Sequence, residues 1–207
     1  TMITELPYDR KNTSMNSFPF CDHCKSEYED PNNRRHDAQG ISCPICGPKL
    51  ELYDANGNQL DDDPISTSAK LLKEGSIIAV KGIGGFHIAV DATNEKPVSE
   101  LRLRRKSPYQ PFAVMSSCID DIREYAIIND IEQHLLNNIY RPIVSLMKSN
   151  NYSLSNSVSP GLDTIGVMLP YTGIHHLLLK HFKEPALVMT SGNYPNRPIF
   201  INNAEAM

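Results

Sequence analysis

Four cysteines set the strongest constraint on what this chain folds into. Cys21-Asp-His-Cys24 is followed, after eighteen residues, by Cys43-Pro-Ile-Cys46, a C-x2-C-x18-C-x2-C spacing expected of a zinc site built from four thiolates. Each C-x-x-C is expected to form a knuckle that puts two sulfurs on one metal, and two knuckles complete a tetrahedron. Two disulfides are the competing reading, but paired C-x-x-C motifs in a chain without a secretory signal favour metal or redox chemistry. No βαβ pattern surrounds either pair, which argues against a thioredoxin-like role. With cysteine at all four positions no site is left for water, so the zinc is structural. Such a site supplies on the order of 10–16 kcal/mol of apparent binding energy in place of a core. His23 and His36 are left without a ligand role. Arg34 and Arg35, between the knuckles, either bind phosphate or face solvent.

The rest of the chain divides around this module. Residues 1–20 hold Pro7, Pro19 and little periodicity, and read as a linker arm; 21–50 are the finger. Residues 51–64, rich in Asn, Gly and Asp, read as a second linker, and 65–207 as the main domain. The net charge of −4 over 207 residues gives no global pull toward polyanions, so nucleic acid is not an expected partner and any phosphate site is a local patch. No apolar run reaches the length of a membrane span and the start has no signal-peptide core. A reducing, cytoplasmic setting is the default expectation. Both chain ends suggest a piece of something longer.

The main domain is organised around residues 75–92, GSIIAVKGIGGFHIAVDA. Runs 77–80 and 86–90 read as buried strands on either side of a turn made of Lys81, Gly82, Ile83, Gly84 and Gly85. The turn is either a tight hairpin or a loop whose bare backbone N–H groups approach a ligand; it is not a P-loop, since no Gly-Lys-Ser/Thr follows. Before it, Ser66 or Ser68 is expected to cap a helix ending near Gly75. After it, Thr93 or Asn94 caps a helix to about Lys106. Strands are expected at 112–115, 143–147, 165–169 and 186–189, and helices at 119–125, 131–138 and 175–182. This mixed order indicates an α/β or α+β domain around an open twisted sheet. Arg102, Arg104, Arg105 and Lys106 exceed what the helix dipole calls for, and a phosphate-rich ligand would account for them. Met189-Thr-Ser-Gly-Asn193 follows a buried strand and offers a donor-rich rim. Cys118 reads as an ordinary buried thiol. His175 and His176 are expected to put one ring in the domain wall and one on a helix face.

Taken together, the segments Leu6-Pro-Tyr-Asp-Arg10, the cysteine module with its Glu-Tyr-x-Asp-Pro-x-x-Arg-Arg-His run, 80–92, 111–115, 160–179 and 188–193 resemble the HypF carbamoyltransferases of [NiFe]-hydrogenase maturation. The resemblance implies the second zinc finger of that family followed by most of its YrdC-like domain. It further implies that this domain binds ATP, with magnesium, and carbamate derived from carbamoyl phosphate, and forms carbamoyl-adenylate. A further domain of the family would pass the carbamoyl group to the C-terminal cysteine of HypE. Relatives hold the ligand with a Lys-x-Arg-Pro-x-Lys-Pro run and a Ser-x-Asn loop. Here the run reads Arg105-Lys106-Ser107-Pro108-Tyr109-Gln110-Pro111: Arg105 keeps the first charge, while Ser107 and Gln110 stand where cations are expected. The ligand-binding set implied is Lys81, Gly82, Gly84, Gly85, Arg105, Ser107, Ser191 and Asn193.

Two other functions fit parts of the pattern. One is a YrdC-type protein making threonylcarbamoyl-adenylate for tRNA modification, which would lack the finger. The other is a non-catalytic module in which finger and basic helix grip RNA or a protein. Acidity and the scarcity of stacking aromatics count against RNA.

Overall fold

The computed structural model describes residues 2–194 and 197–207. Thr1, in the expected arm, and Pro195 and Asn196, in the expected main domain, lie outside the described residues. The chain forms two compact units that divide between Glu51 and Leu52.

The first unit differs from the expected arm plus finger. Residues 2–20 are not a free linker. They form 3-10 turns at Arg10–Asn12 and Ser14–Ser17 and an isolated antiparallel bridge between Ile3 and Thr13. The reason is Arg10, which is buried and donates from Nη1 to the carbonyls of Gln39 (3.0 Å) and Ile41 (2.7 Å) and from Nη2 to that of Phe18 (2.8 Å). Its guanidinium also lies 3.9 Å from the centre of the Phe20 ring. The first knuckle runs into a helix, α1 (Asp22–Glu29), with Cys21 at its N-cap.

The second unit begins earlier than expected. The segment read as a linker carries a hairpin, β1 (Leu52–Tyr53) with β2 (Gln59–Leu60). Asp63, not Ser66 or Ser68, then caps α2 (Pro64–Lys73): its carboxylate accepts from the Ser66 N–H at 2.8 Å, with proline at the first helical position. Aspartate followed by proline satisfies a free N–H and pre-sets φ, so it wins over serines three and five residues later. There follow β3 (Ile78–Lys81), β4 (Phe86–Asp91), α3 (Glu95–Arg105, capped by Asn94), β5 (Ala113–Met115), α4 (Ile119–Arg123), β6 (Ala126–Ile127), α5 (Asp130–Asn137), β7 (Val144–Lys148), β8 (Thr164–Met168), α6 (Gly173–Phe182), β9 (Leu187–Ser191) and α7 (Asn203–Ala206). Only the short β6 was absent from the expected strands of this stretch.

Among the described residues seven strands make one mixed sheet in the order β3-β4-β9-β5-β8-β7-β6, with β5–β8 its single parallel pair. Alternation along the strands divides the apolar side chains between two faces. Val80, Ala89, Met115, Leu187 and Met189 meet Ala69 and Leu72 of α2 and Leu178, Leu179 and Phe182 of α6. Val90, Val114, Val167 and Val188 meet Val98 and Leu101 of α3, Ile122 of α4 and Leu136 of α5. Cys118 is exposed at the start of α4, not buried as its apolar neighbours suggested: it is the extended N-cap residue, ahead of the helical turn that buries Ile122. Among the described residues no helix is long and apolar enough to cross a membrane.

Candidate functional site

The first site is the cysteine cluster. Cys21 and the buried Cys24 stand one helical turn apart at the start of α1, and Cys43 and Cys46 come from a turn closed by the Gly47 N–H on the Cys43 carbonyl at 2.7 Å. All four sulfurs lie within 4.8 Å of one another, with Cys21–Cys43 at 3.6 Å and Cys43–Cys46 at 3.7 Å. A zinc–sulfur bond of about 2.3 Å gives a tetrahedral edge of about 3.8 Å, so this donor set fits zinc. Burial and the neighbouring thiols push Cys24 up to about 12, whereas backbone hydrogen bonds pull Cys46 down to about 6 and Cys43 also downward. Ligand thiols must ionise on binding, and a metal ion removes the burden that burial places on Cys24. Neither histidine joins the cluster: His23 sits 3.7 Å from Glu27 and a His36 ring nitrogen 3.0 Å from the Tyr28 carbonyl. Arg35 is spoken for by Glu27 at 2.8 Å.

The second site is one end of the seven-stranded sheet. β3 delivers Lys81 there, and its Nζ donates to the Asn203 side chain at 2.6 Å. The turn after it is closed by the Gly82 N–H on the Gly85 carbonyl (2.9 Å). Of the three glycines only Gly85 uses a positive φ (+135°), and a Cβ there would stand 2.7 Å from the Phe200 carbonyl. Gly192 is equally confined, since its Cβ would lie 2.8 Å from the Phe86 carbonyl. Both positions are glycine because three backbone segments meet there: Phe86 donates to Phe200 (2.8 Å), Phe200 to Gly192 (2.9 Å) and Gly192 to Phe86 (2.7 Å). Gly84 has open space around it.

Arg105, the last residue of α3, donates to the Ser191 carbonyl at 2.6 Å across 86 residues of chain. The Ser191 hydroxyl bonds to Asn193 Oδ1 at 2.6 Å, and Asn193 Nδ2 donates to the carbonyls of Tyr194 (3.0 Å) and Arg197 (2.8 Å). So Arg105, Ser191 and Asn193 form one bonded group, and the pairing of β3, β4 and β9 brings Lys81 and the glycine turn to the same sheet end. Ser107 is not tied to them; its hydroxyl donates to Gln110 Oε1 at 3.1 Å.

The rest of the basic cluster has structural duties that its composition did not reveal. Arg102 is buried, donates to the carbonyls of Ser107, Gln110 and Ser157, and stacks 4.5 Å from the Phe112 ring centre. Arg104 pairs with Glu100 at 2.7 Å. Lys106 takes a left-handed conformation (φ 52°) as the C-cap. A group that the sequence left out of the site lies beside it: His87, Tyr171 and His175, with ring centres 4.6–6.4 Å apart. The adjacent histidines at 175 and 176 were the available signal.

Comparison with known proteins matches both units. The Sua5/YciO/YrdC family model, described as "Telomere recombination", covers residues 70–207, and the "HypF finger" model covers residues 20–53. The carbamoyltransferase HypF of Rhodobacter capsulatus is 46% identical over the whole of this chain, and that of Synechocystis 42%, each match taking in 27% of the relative. The chain thus spans about a quarter of the length of these relatives. A full-length HypF solved in a phosphate- and nucleotide-bound form superposes with a TM-score of 0.85 at 44% identity, over 99% of this chain and 27% of that one. The T. kodakarensis HypF gives 0.88 at 47% identity, over 100% and 27%. P. abyssi Sua5, at 18% identity and a TM-score of 0.63 over 69% of this chain and 42% of that one, shares the fold.

Proposed function

The chain belongs to the Sua5/YciO/YrdC family and carries a HypF finger ahead of that family's domain, and on this premise we propose that it is the carbamate-activating part of a HypF-type carbamoyltransferase. ATP, accompanied by magnesium, and carbamate derived from carbamoyl phosphate are the substrates. A carbamate oxygen attacks the α-phosphorus, a new P–O bond forms, and pyrophosphate leaves with the electron pair of the bond that breaks. The product, carbamoyl-adenylate, then donates its carbamoyl group, in the full-length enzyme, to the HypE C-terminal cysteine for hydrogenase maturation. Such a step asks the protein for charge neutralisation and placement rather than a nucleophile. Lys81 and Arg105 supply charge, the backbone of Gly84 and Gly85 supplies donors on the turn that Gly82 closes, and Ser191 and Asn193 form the rim beside Arg105. Zinc on Cys21, Cys24, Cys43 and Cys46 is structural, since four thiolates leave no open coordination position.

The observation that carries this reading is the Arg105–Ser191 bond, which ties a helix C-terminus to the Ser-Gly-Asn loop at the sheet end where strand pairing also brings the glycine turn. Calorimetric titration with magnesium-ATP tests it. Arg105→Ala should weaken binding ten- to a hundredfold, the loss of one charge-assisted contact, and Lys106→Ala by less than threefold. Ser107→Arg should tighten binding if that position faces the triphosphate, with a gain that shrinks at high salt. Abolition of binding by Lys106→Ala with Arg105→Ala silent would overturn this assignment of the basic run. Carbamate-dependent exchange of pyrophosphate into ATP, against L-threonine with bicarbonate as the alternative substrate, separates the carbamoyl reading from the threonylcarbamoyl one.

A further inference from the structure

Among the described residues, five buried side-chain nitrogen or oxygen atoms have no hydrogen-bond partner, and three of them belong to one pair of rings: His87 Nδ1 and both nitrogens of His175. Native proteins rarely leave such atoms unpaired, and a concentration of them calls for a reason. His175, on α6, is 1% exposed, and Tyr171 packs edge-on against it at 4.6 Å between ring centres. The Tyr171 hydroxyl stands 3.4 Å from His87 Nε2. Among the described residues no carboxylate or cation pairs with these rings, and burial, reinforced by the neighbouring histidines, holds His175 down at about 4 and lowers His87, so both rings are neutral at physiological pH.

Their place in the fold ties them to the rim described above. His87 is the cross-strand partner of Ser191. A Cβ placed on Gly82 would lie 3.4 Å from His87 Nδ1, so only glycine backbone separates that ring from the turn. Two neutral imidazoles present one N–H donor and one bare nitrogen acceptor each. That set is poorly suited to an anionic oxygen, which the Lys81 and Arg105 side of the sheet end serves better. It matches the amide-like end of a small group, where N–H donors and a carbonyl acceptor lie together.

We propose that His87, Tyr171 and His175 form the subsite that takes the amino-carbonyl end of the carbamoyl substrate, leaving its reacting oxygen toward the rim of Arg105 and Ser191. The proposal rests on the carbamate reading given under the proposed function. The amino group donates to imidazole nitrogens that otherwise have no partner, which distinguishes carbamate from bicarbonate, whose hydroxyl offers a single donor, and from acetate, whose methyl offers none.

The test uses the 207-residue protein with 15N-labelled histidine and follows the imidazole nitrogen resonances during titration with ammonium carbamate, with and without magnesium-ATP. Sodium bicarbonate and ammonium chloride serve as separate controls. The expected result is a saturable shift of the His87 and His175 signals with carbamate and none with either control. His175→Phe should raise the half-saturating carbamate concentration at least tenfold, read from the remaining His87 signal, while the ATP dissociation constant stays within twofold. His87→Gln, at a less buried position, supplies a second variant and should show an intermediate loss read from His175. Rings of the wild-type protein that ignore carbamate, or that respond equally to bicarbonate, overturn the subsite. The ATP titration decides the nucleotide reading separately, because the ring signals are also recorded without nucleotide.

Discussion

The two units of this chain reach a fixed structure by different means. In the unit up to Glu51 the buried apolar residues are Met15, Cys24 and Ile41, and the interior is otherwise Arg10, Thr13, Gln39 and backbone. In the unit from Leu52 two apolar layers sandwich a seven-stranded sheet. The small unit cannot gain enough from apolar burial to offset the entropy of ordering its chain, so it is held by a four-thiolate cluster and a forked cation on three carbonyls. The lesson is about sensitivity. A unit held at a few points fails when one of them is removed, whereas a layered core distributes its stability and loses it in parts.

The largest expected effect tests this directly. Cys43→Ser removes one of four zinc ligands and with it most of an interaction worth on the order of 10 kcal/mol. Residues 2–51 should lose protection from hydrogen exchange, with zinc absent by elemental analysis, while the unit from Leu52 keeps its protection. Zinc-free protein that retains exchange protection at Cys24 and Gln39 would break the contrast. In the larger unit, Leu72→Ala excavates a fully buried position of α2 against Phe182 and Leu178. It should cost about 3–4 kcal/mol by denaturant titration, without unfolding the sheet in water and without releasing zinc.

How much of this was legible in the sequence follows the same division. Strands β3, β4, β7, β8 and β9 were readable because each is a run of Ile, Val, Leu or Met ended by glycine, proline or a polar cluster, and layer burial depends on little else. The cysteine cluster was readable because metal geometry restricts spacing. Arg10 was not, because a cation in a proline-containing stretch reads as surface, and the carbonyls that bury it lie 29 and 31 residues away. The duties of Arg102 were hidden similarly: four neighbouring basic residues suggest one ligand, yet one of the four is fixed by carbonyls near residues 107, 110 and 157. Lys81, Arg105, Ser191 and Asn193 were recognisable as a set only through the resemblance, since no local pattern records that β9 pairs with β4.

Arg10→Met sharpens the comparison at the next scale. The methionine fills much of the volume but leaves the carbonyls of Gln39, Ile41 and Phe18 without that donor. The expected loss is about 2–3 kcal/mol, confined to the small unit. Arg10→Lys should restore only part of it, because an ammonium cannot reproduce the fork. Zinc affinity, read by competition with a chelator, should fall in parallel, since folding and metal binding are linked there. An unchanged zinc affinity would show that the arm is merely adsorbed.

The smallest effect asks whether the layered unit also depends on polar clamps. Glu95, at the start of α3, accepts from the hydroxyls of Ser155 (2.5 Å), Ser99 (2.7 Å) and Ser157. Chiefly through Ser155 and Ser157 these bonds hold its carboxyl at about 2, below the ordinary 4.5. A carboxyl whose folded value is depressed binds fewer protons than its unfolded counterpart, so its contribution is complete above pH 4.5 and disappears as pH falls through 2. Because the group is largely exposed, screening by solvent reduces that contribution to about 1 kcal/mol. Glu95→Gln should therefore destabilise the larger unit by about that amount at pH 7, with the gap to wild type closing between pH 4.5 and 2. His175 imposes an acid limb of its own: its folded value of about 4 lies below the ordinary 6.5, so stability declines as pH drops from 6.5 toward 4. That decline is common to both proteins and cancels in the difference between them. A gap that persists unchanged at pH 2 would mean that the amide disrupts packing around residues 155–157 instead of removing a charge-assisted clamp.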